Sequence, residues 1–166
     1  MSYWNGGSDT AGTGATAEGG IKFNRANTLT GTTAIPIPTA TGTNYSWEKF
    51  LGLEVTVDGS TTISNRKVHH ASGLATGLEL FFQGTPTYHT PDGTDITDDG
   101  AADGADPAGY TAMSTTAQTY DADAVASTVG LNGDYCVVVL GVSSNYAGGA
   151  GTNQAVPTLT FTYDEA

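Results

Sequence analysis

From Ile21 onward the chain alternates apolar and polar positions in short bursts, separated by Gly, Asp, Asn and Pro. A period of two puts successive side chains on opposite faces of an extended strand. Ile21 and Phe23 alternate with Lys22 and Asn24. Residues 35–38 read IPIP. Proline cannot donate to a ladder, so this stretch is an edge strand or an extended connector. Residues 47–57 read WEKFLGLEVTV, with Leu51, Leu53, Val55 and Val57 on one face and Glu54 and Thr56 on the other. Asp58-Gly59 supplies a turn into a second strand over 61–69, around Ile63 and Val68. Leu78, Leu80 and Phe82 alternate in GLELFFQG, closed by Gly84 and Pro86, and residues 110–129 give weaker strands around Tyr110, Met113, Tyr120 and Val125. Residues 134–142, DYCVVVLGV, are nearly continuously apolar, as a central strand buried on both faces must be. Residues 156–163, VPTLTFTY, set Leu159, Phe161 and Tyr163 against a face of threonines. These bursts make about eight short strands, with no helical period and no long repeat, which predicts an all-β fold: a single β-sandwich or jelly roll.

Composition supports strands and turns. Charged residues are 13% of the chain, about half the usual ~25%. Thr, Ser, Asn and Gly supply the polar surface in their place, and the strong helix formers are thin. Residues 1–20 are rich in Gly, Ala, Thr and Ser without periodicity, which predicts a flexible N-terminal arm. Tyr3 and Trp4 are the exceptions there and read as partner-binding anchors on a neighbouring surface. The folded domain then covers 21–166, with an acidic, turn-rich loop at 92–106.

The charge balance changes the list of partners. Net charge is −12, with five Lys and Arg. Phosphate backbones need cations, so nucleic acid is not expected as a partner, and an anionic membrane is repelled for the same reason. No apolar run approaches the ~20 residues of a membrane span. The sequence begins without a basic and apolar leader, and its single cysteine, Cys136, allows no internal disulfide. Synthesis in the cytosol is the expectation.

The acidic loop is the one metal candidate. Asp92, Asp95, Asp98 and Asp99, followed by Asp103 and Asp106, offer hard oxygen ligands of the kind calcium takes, and glycines at 93, 100 and 104 would let the chain wrap. The spacing is not that of a helix-loop-helix calcium hand, so a solvated loop is the competing reading and no cofactor is required. His69 and His70 are strand neighbours pointing to opposite faces, which argues against a shared metal. With His89 they read as surface or strand-end residues, and Cys136 reads as a small buried hydrophobe. No nucleophile elbow, phosphate loop or metalloprotease histidine pair is present. Glu54 and Glu79 read as outward-facing strand residues, so no catalytic role is assigned. Tyr45, Trp47, Tyr88, Tyr110 and Tyr146 read first as core, then as interface, then as a carbohydrate platform.

Several segments together resemble the small β-sandwich virion proteins of tailed bacteriophages, of the capsid decoration (cement) type. They are the Gly/Thr-rich arm, SNRKVHHASGLATGLELFFQG at 64–84, GDYCVVVLGV at 133–142 and the final TLTFTYDEA. The resemblance implies a non-enzymatic structural protein made in a bacterial host's cytoplasm. It would be seated on the capsid surface of the virion as a homo-oligomer, a trimer, bound to the major capsid protein and reinforcing the shell. The alternatives are a fibre or tail-associated host-recognition module that binds carbohydrate, and another tail, neck or baseplate component.

Overall fold

The computed structural model describes residues 2–4, 15–16, 23–25, 34–35, 37–59, 61–71, 73–88, 109–148 and 158–166. The fold is all-β, with no helix among these residues. The strands are β1 (Ser2–Trp4), β2 (Ala15–Thr16), β3 (Thr43–Tyr45), β4 (Lys49–Val55), β5 (Thr62–His70), β6 (Leu78–Thr85), β7 (Thr111–Ala112), β8 (Gln118–Asp121), β9 (Val125–Ala126), β10 (Gly130–Ser143) and β11 (Leu159–Glu165). They form two antiparallel sheets packed as a sandwich. The first has seven strands in the order β2-β1-β4-β10-β6-β7, with β3 also on β10; the second has four, β11-β5-β8, with β9 also on β5.

Strand β10 organises the first sheet. Its apolar run, expected to be buried on both faces, is so: Val137, Val138, Val139 and Leu140 are all buried. On one side β10 pairs with β6, from Tyr135↔Thr85 to Val142↔Leu78. On the other it pairs with β4, through Cys136↔Leu51 and Val138↔Lys49, and then with β3, through Gly141↔Tyr45. Between β3 and β4, the Ser46 N–H donates to the Leu140 carbonyl at 2.8 Å, and Ser46 Oγ accepts the Leu140 N–H at 3.0 Å. A side chain thus carries the ladder across the break.

The core lies between the sheets. Leu51, Leu78, Leu80, Phe82, Cys136, Val138, Leu140 and Val142 from the first sheet meet Val68 and Tyr120 from the second, with Leu159 and Phe161 packed at the margin. The far face of the first sheet carries smaller clusters, with Phe50, Tyr88, Tyr135 and Val137 in one and Tyr45, Phe81 and Val139 in another. Edge-on ring contacts at 4.9 Å for Phe50–Tyr88 and 5.9 Å for Phe50–Tyr135 set that packing.

Some expectations are corrected. Phe23–Arg25 are not strand; of the two readings of 35–38, residues 35, 37 and 38 fit the connector, since they carry no ladder. The strand expected over 47–57 spans only Lys49–Val55. Its ladder with β10 ends at Val55↔Gly130, so Val57, placed on the inward face by its spacing, is 77% exposed. Asp58-Gly59 does not close a hairpin, because β4 belongs to the first sheet and β5 to the second. The turn carries the chain from one layer to the other. In the N-terminal segment, Ser2–Trp4 runs antiparallel to β4, with Tyr3 opposite Leu51, and Ala15–Thr16 pairs outside it. The rest of the 1–20 arm, and the acidic loop at 92–106, lie outside the described residues.

Candidate functional site

The most polar part of the interior begins with a fault in strand β5. Strict alternation from Ile63 would bury Asn65, Lys67 and His69. Asn65 instead has a positive φ of 48°, a left-handed conformation that Asn tolerates better than most residues. The register of β5 shifts there against both β11 and β8. The phase flips, and Arg66, Val68 and His70 become the buried set. Asn65 Nδ2 closes the bulge by donating to Asp164 Oδ2 at 2.8 Å.

Arg66 is consequently enclosed in the interior. Its Nε donates to Asp121 Oδ2 at 2.9 Å, its Nη2 forms an ion pair with the same oxygen, and Nη2 also reaches the Asp123 carbonyl at 3.1 Å. Asp121 sits on β8 and also accepts two backbone donors. The Asp123 N–H reaches Oδ1 at 2.8 Å, and the Asp134 N–H reaches Oδ2 at 2.7 Å. Burial alone would raise the Asp121 carboxyl. The amides of Asp134 and Asp123, together with the Arg66 guanidinium, outweigh it and hold the group below the usual carboxylate range. Asp134 is pushed the other way, by burial and then by the charge of Asp121. Gly133, with φ +74°, lies against the guanidinium where any Cβ would collide with it. This network ties β5, β8 and the start of β10 together across the two sheets.

Two further charged groups are buried in the first sheet. Lys49 is fully enclosed, and its Nζ donates to Asn24 Oδ1 at 3.2 Å. Burial lowers its ammonium to about 8. Its neighbour Glu48 points to the other face, where Tyr110 Oη donates to Glu48 Oε1. On β5, the His70 ring lies with Nδ1 2.7 Å from the Ala71 carbonyl and Nε2 3.2 Å from the Met113 carbonyl. The His70 N–H reaches the Ser114 carbonyl at 3.2 Å, so the residue fastens the segment after β7 to the end of β5. His69 faces the other way, with a buried Nδ1 that has no hydrogen-bond partner among the described residues.

The residues singled out in the sequence lie in different parts of the fold. Tyr3 and Trp4 lie on β1, opposite Leu51 and Phe50 of β4. Asp92, Asp95, Asp98, Asp99 and His89 lie outside the described residues; no group of three or more His, Cys, Asp or Glu among the described residues is arranged to hold a metal. Cys136 is buried in the core, and burial pushes its thiol up. Glu54 and Glu79 are exposed, as their strand phase predicts. Of the aromatic residues, Tyr45 and Tyr88 are buried, while Tyr110 and Tyr146 pack against core clusters.

The Arg66–Asp121 network was not anticipated from the sequence. The available signal was a lone Arg in a strand otherwise anchored by Ile63 and Val68, together with Asp121 and Asn132-Gly133-Asp134 at turns. Chemically, these groups fix the relation of the two sheets. They also withdraw Lys49 and Arg66 from the surface, leaving Lys22, Arg25 and Lys67 as the other cations of a chain with seventeen Asp and Glu. Compared with protein-family models, with curated proteins and with solved structures, the chain matches none of them.

Proposed function

We propose that this chain is a non-enzymatic structural protein of a bacteriophage virion, a decoration or cement protein that binds the outside of the head shell. The observation that supports this most is the addition of Ser2–Trp4 to β4 at the margin of the first sheet. A short extended segment bearing two aromatic residues is held there by backbone pairing, the general means by which arms and sheet edges bind neighbours. The buried charges support the same reading, since Arg66, Asp121 and Lys49 have internal partners and brace the sandwich. Lys49 and Arg66 are buried together with Glu48 and Asp121, so the chain's net charge of −12 is carried outside the core, where it complements a basic seat.

The carbohydrate-binding alternative calls for an exposed aromatic platform. Among the described residues outside β1, Tyr163 is the one strongly exposed aromatic side chain, at 46%, and a single ring is no platform. Immunogold labelling of virions from a lysate expressing the chain tests the proposal. Label over the head supports it. Label at the tail, neck or fibres would move the protein to the alternatives, and unlabelled virions would remove the virion role altogether.

A further inference from the structure

Strand β11 pairs with β5 on one side and is the outermost strand of its sheet among the described residues. Open edges in native sheets are usually guarded by lysine, proline, a bulge or a covering loop. Residues 159–163 read LTFTY, with no charge and no proline. The register with β5 is unbroken from Leu159 to Thr162, and the shift comes only between Thr162 and Asp164. The apolar face of this strand is also incompletely covered. Leu159 and Phe161 pack against the core and Phe161 meets the Tyr120 ring edge-on at 6.3 Å, yet both stay half-buried, and Tyr163 is exposed.

The hydrogen-bonding phase is also fixed. The Thr158 carbonyl accepts the Ala71 N–H at 3.0 Å, so Thr158 turns its backbone groups toward β5. Antiparallel alternation then turns those of Thr160 and Thr162 toward β5 and those of Leu159 and Phe161 outward.

We propose that this edge is an interface with a second copy of the chain, the two β11 strands pairing antiparallel about a twofold axis at Phe161. That register sets Phe161 opposite itself, Leu159 opposite Tyr163 and Thr160 opposite Thr162. Every cross-strand pair is a favourable one, and no like charges face each other. Asp164 falls opposite Thr158, outside the apolar pairs. Phe161 exchanges both backbone bonds with its counterpart. Thr160 and Thr162 form non-hydrogen-bonded pairs, whose Cα atoms approach to about 4.5 Å. The two four-stranded sheets become one continuous sheet, and the half-covered Leu159, Phe161 and Tyr163 gain neighbours. A contact of this length falls below the ~1,200 Å² of a standard stable interface, so the dimer should form in the micromolar range, at about 1–100 μM.

The interface does not depend on the shell-binding reading and is tested in its absence. Light scattering across a concentration series should show the mass doubling. Thr160→Lys/Thr162→Lys places lysine opposite lysine on the face away from the core and should leave a folded monomer at every concentration. Thr160→Cys and Thr162→Cys proteins, oxidised separately and as an equal mixture, report the register. A cross-link found mainly in the mixture supports the axis at Phe161, and Cys136 is too buried to interfere. A monomer at the highest concentrations, a discrete trimer, or a dimer that survives the double lysine change would overturn the proposal. So would cross-linking of either single variant alone.

Discussion

Removing Asp121 should be among the most damaging single changes in this protein, and more damaging than removing its partner. Asp121→Ala leaves the Arg66 guanidinium in the interior without its counter-charge: Nε loses its acceptor and Nη2 keeps only the Asp123 carbonyl. An uncompensated buried charge of this kind costs about 3–5 kcal/mol, and the Asp123 and Asp134 N–H groups lose their acceptor as well. Arg66→Met is milder, because the carboxylate keeps both backbone donors and the methionine stem occupies much of the same space. Its cost should be about 1–3 kcal/mol, the usual range for a broken polar contact. The double variant Arg66→Met/Asp121→Ala should be more stable than Asp121→Ala alone, giving a coupling of about 2 kcal/mol or more. Urea unfolding followed by tyrosine and tryptophan fluorescence measures this as midpoint shifts at constant slope. The pH dependence carries a second check. Asp121 is held below its unfolded value, so its contribution is complete above about pH 4 and is lost as pH falls through the folded value. The advantage of wild type over Asp121→Asn should shrink in that acid window. An Asp121→Ala protein within about 1 kcal/mol of wild type, or an Arg66→Met protein less stable than Asp121→Ala, would refute the reading of Asp121 as the counter-charge on which the buried Arg66 depends.

The remaining expectations concern single sites. Lys49 is lowered to about 8 by burial, so the folded state loses its proton before the unfolded chain does, and the cost of enclosing the charge disappears between about pH 8 and pH 10.5. The difference in stability between Lys49→Met and wild type should narrow by about 3 kcal/mol across that window; taking the difference cancels Cys136 and Tyr120, whose raised values work in the opposite direction. A Cβ at Gly84 would run into the Tyr120 carbonyl where β6 passes β8, so Gly84→Val should cost at least about 2 kcal/mol by thermal unfolding. Asn65→Gly should be nearly neutral while Asn65→Val is destabilising by about 1–2 kcal/mol, because only the former accepts a φ of 48° without strain. A thiol reagent should leave Cys136 unmodified until the protein unfolds.

Much of the sandwich was legible because its signals are local. The apolar run from Tyr135 to Val142 announces a strand with no wet face, and β10 is that strand. Leu78, Leu80 and Phe82 give the inward face of β6 directly. What escaped depends on geometry that periodicity does not encode. A bulge at Asn65 inverts the phase of β5 and turns Arg66 inward, whereas strict alternation from Ile63 would turn it outward. The Asp58-Gly59 turn has the residues of a hairpin but joins strands in different sheets, a choice made by which neighbours complete the core. Lys49 falls in the strand expected over 47–57, but nothing in the alternation marks its ammonium as enclosed opposite the buried Val138. Tyr3 and Trp4 look like anchors on an arm, but their pairing with β4 is a backbone property that no side-chain pattern announces.

The charge distribution gives the two proposed contacts opposite dependences on salt. Each copy carries −12, and with Arg66 and Lys49 enclosed, little surface cation offsets the carboxylates. Two copies meeting through β11 join by backbone pairing and uncharged side chains, so long-range repulsion between the bodies opposes the contact. Screening lowers that repulsion once the Debye length falls from ~30 Å at 0.01 M to ~8 Å at 0.15 M. Added salt should therefore tighten the dimer. Docking on a basic shell surface draws on attraction of the same range and should weaken over the same change. A salt titration of self-association, set beside one of binding to heads, separates the contacts without any substitution. If both weaken with salt, the copies are held together by charge pairs, and pairing through the uncharged edge of β11 is the wrong description.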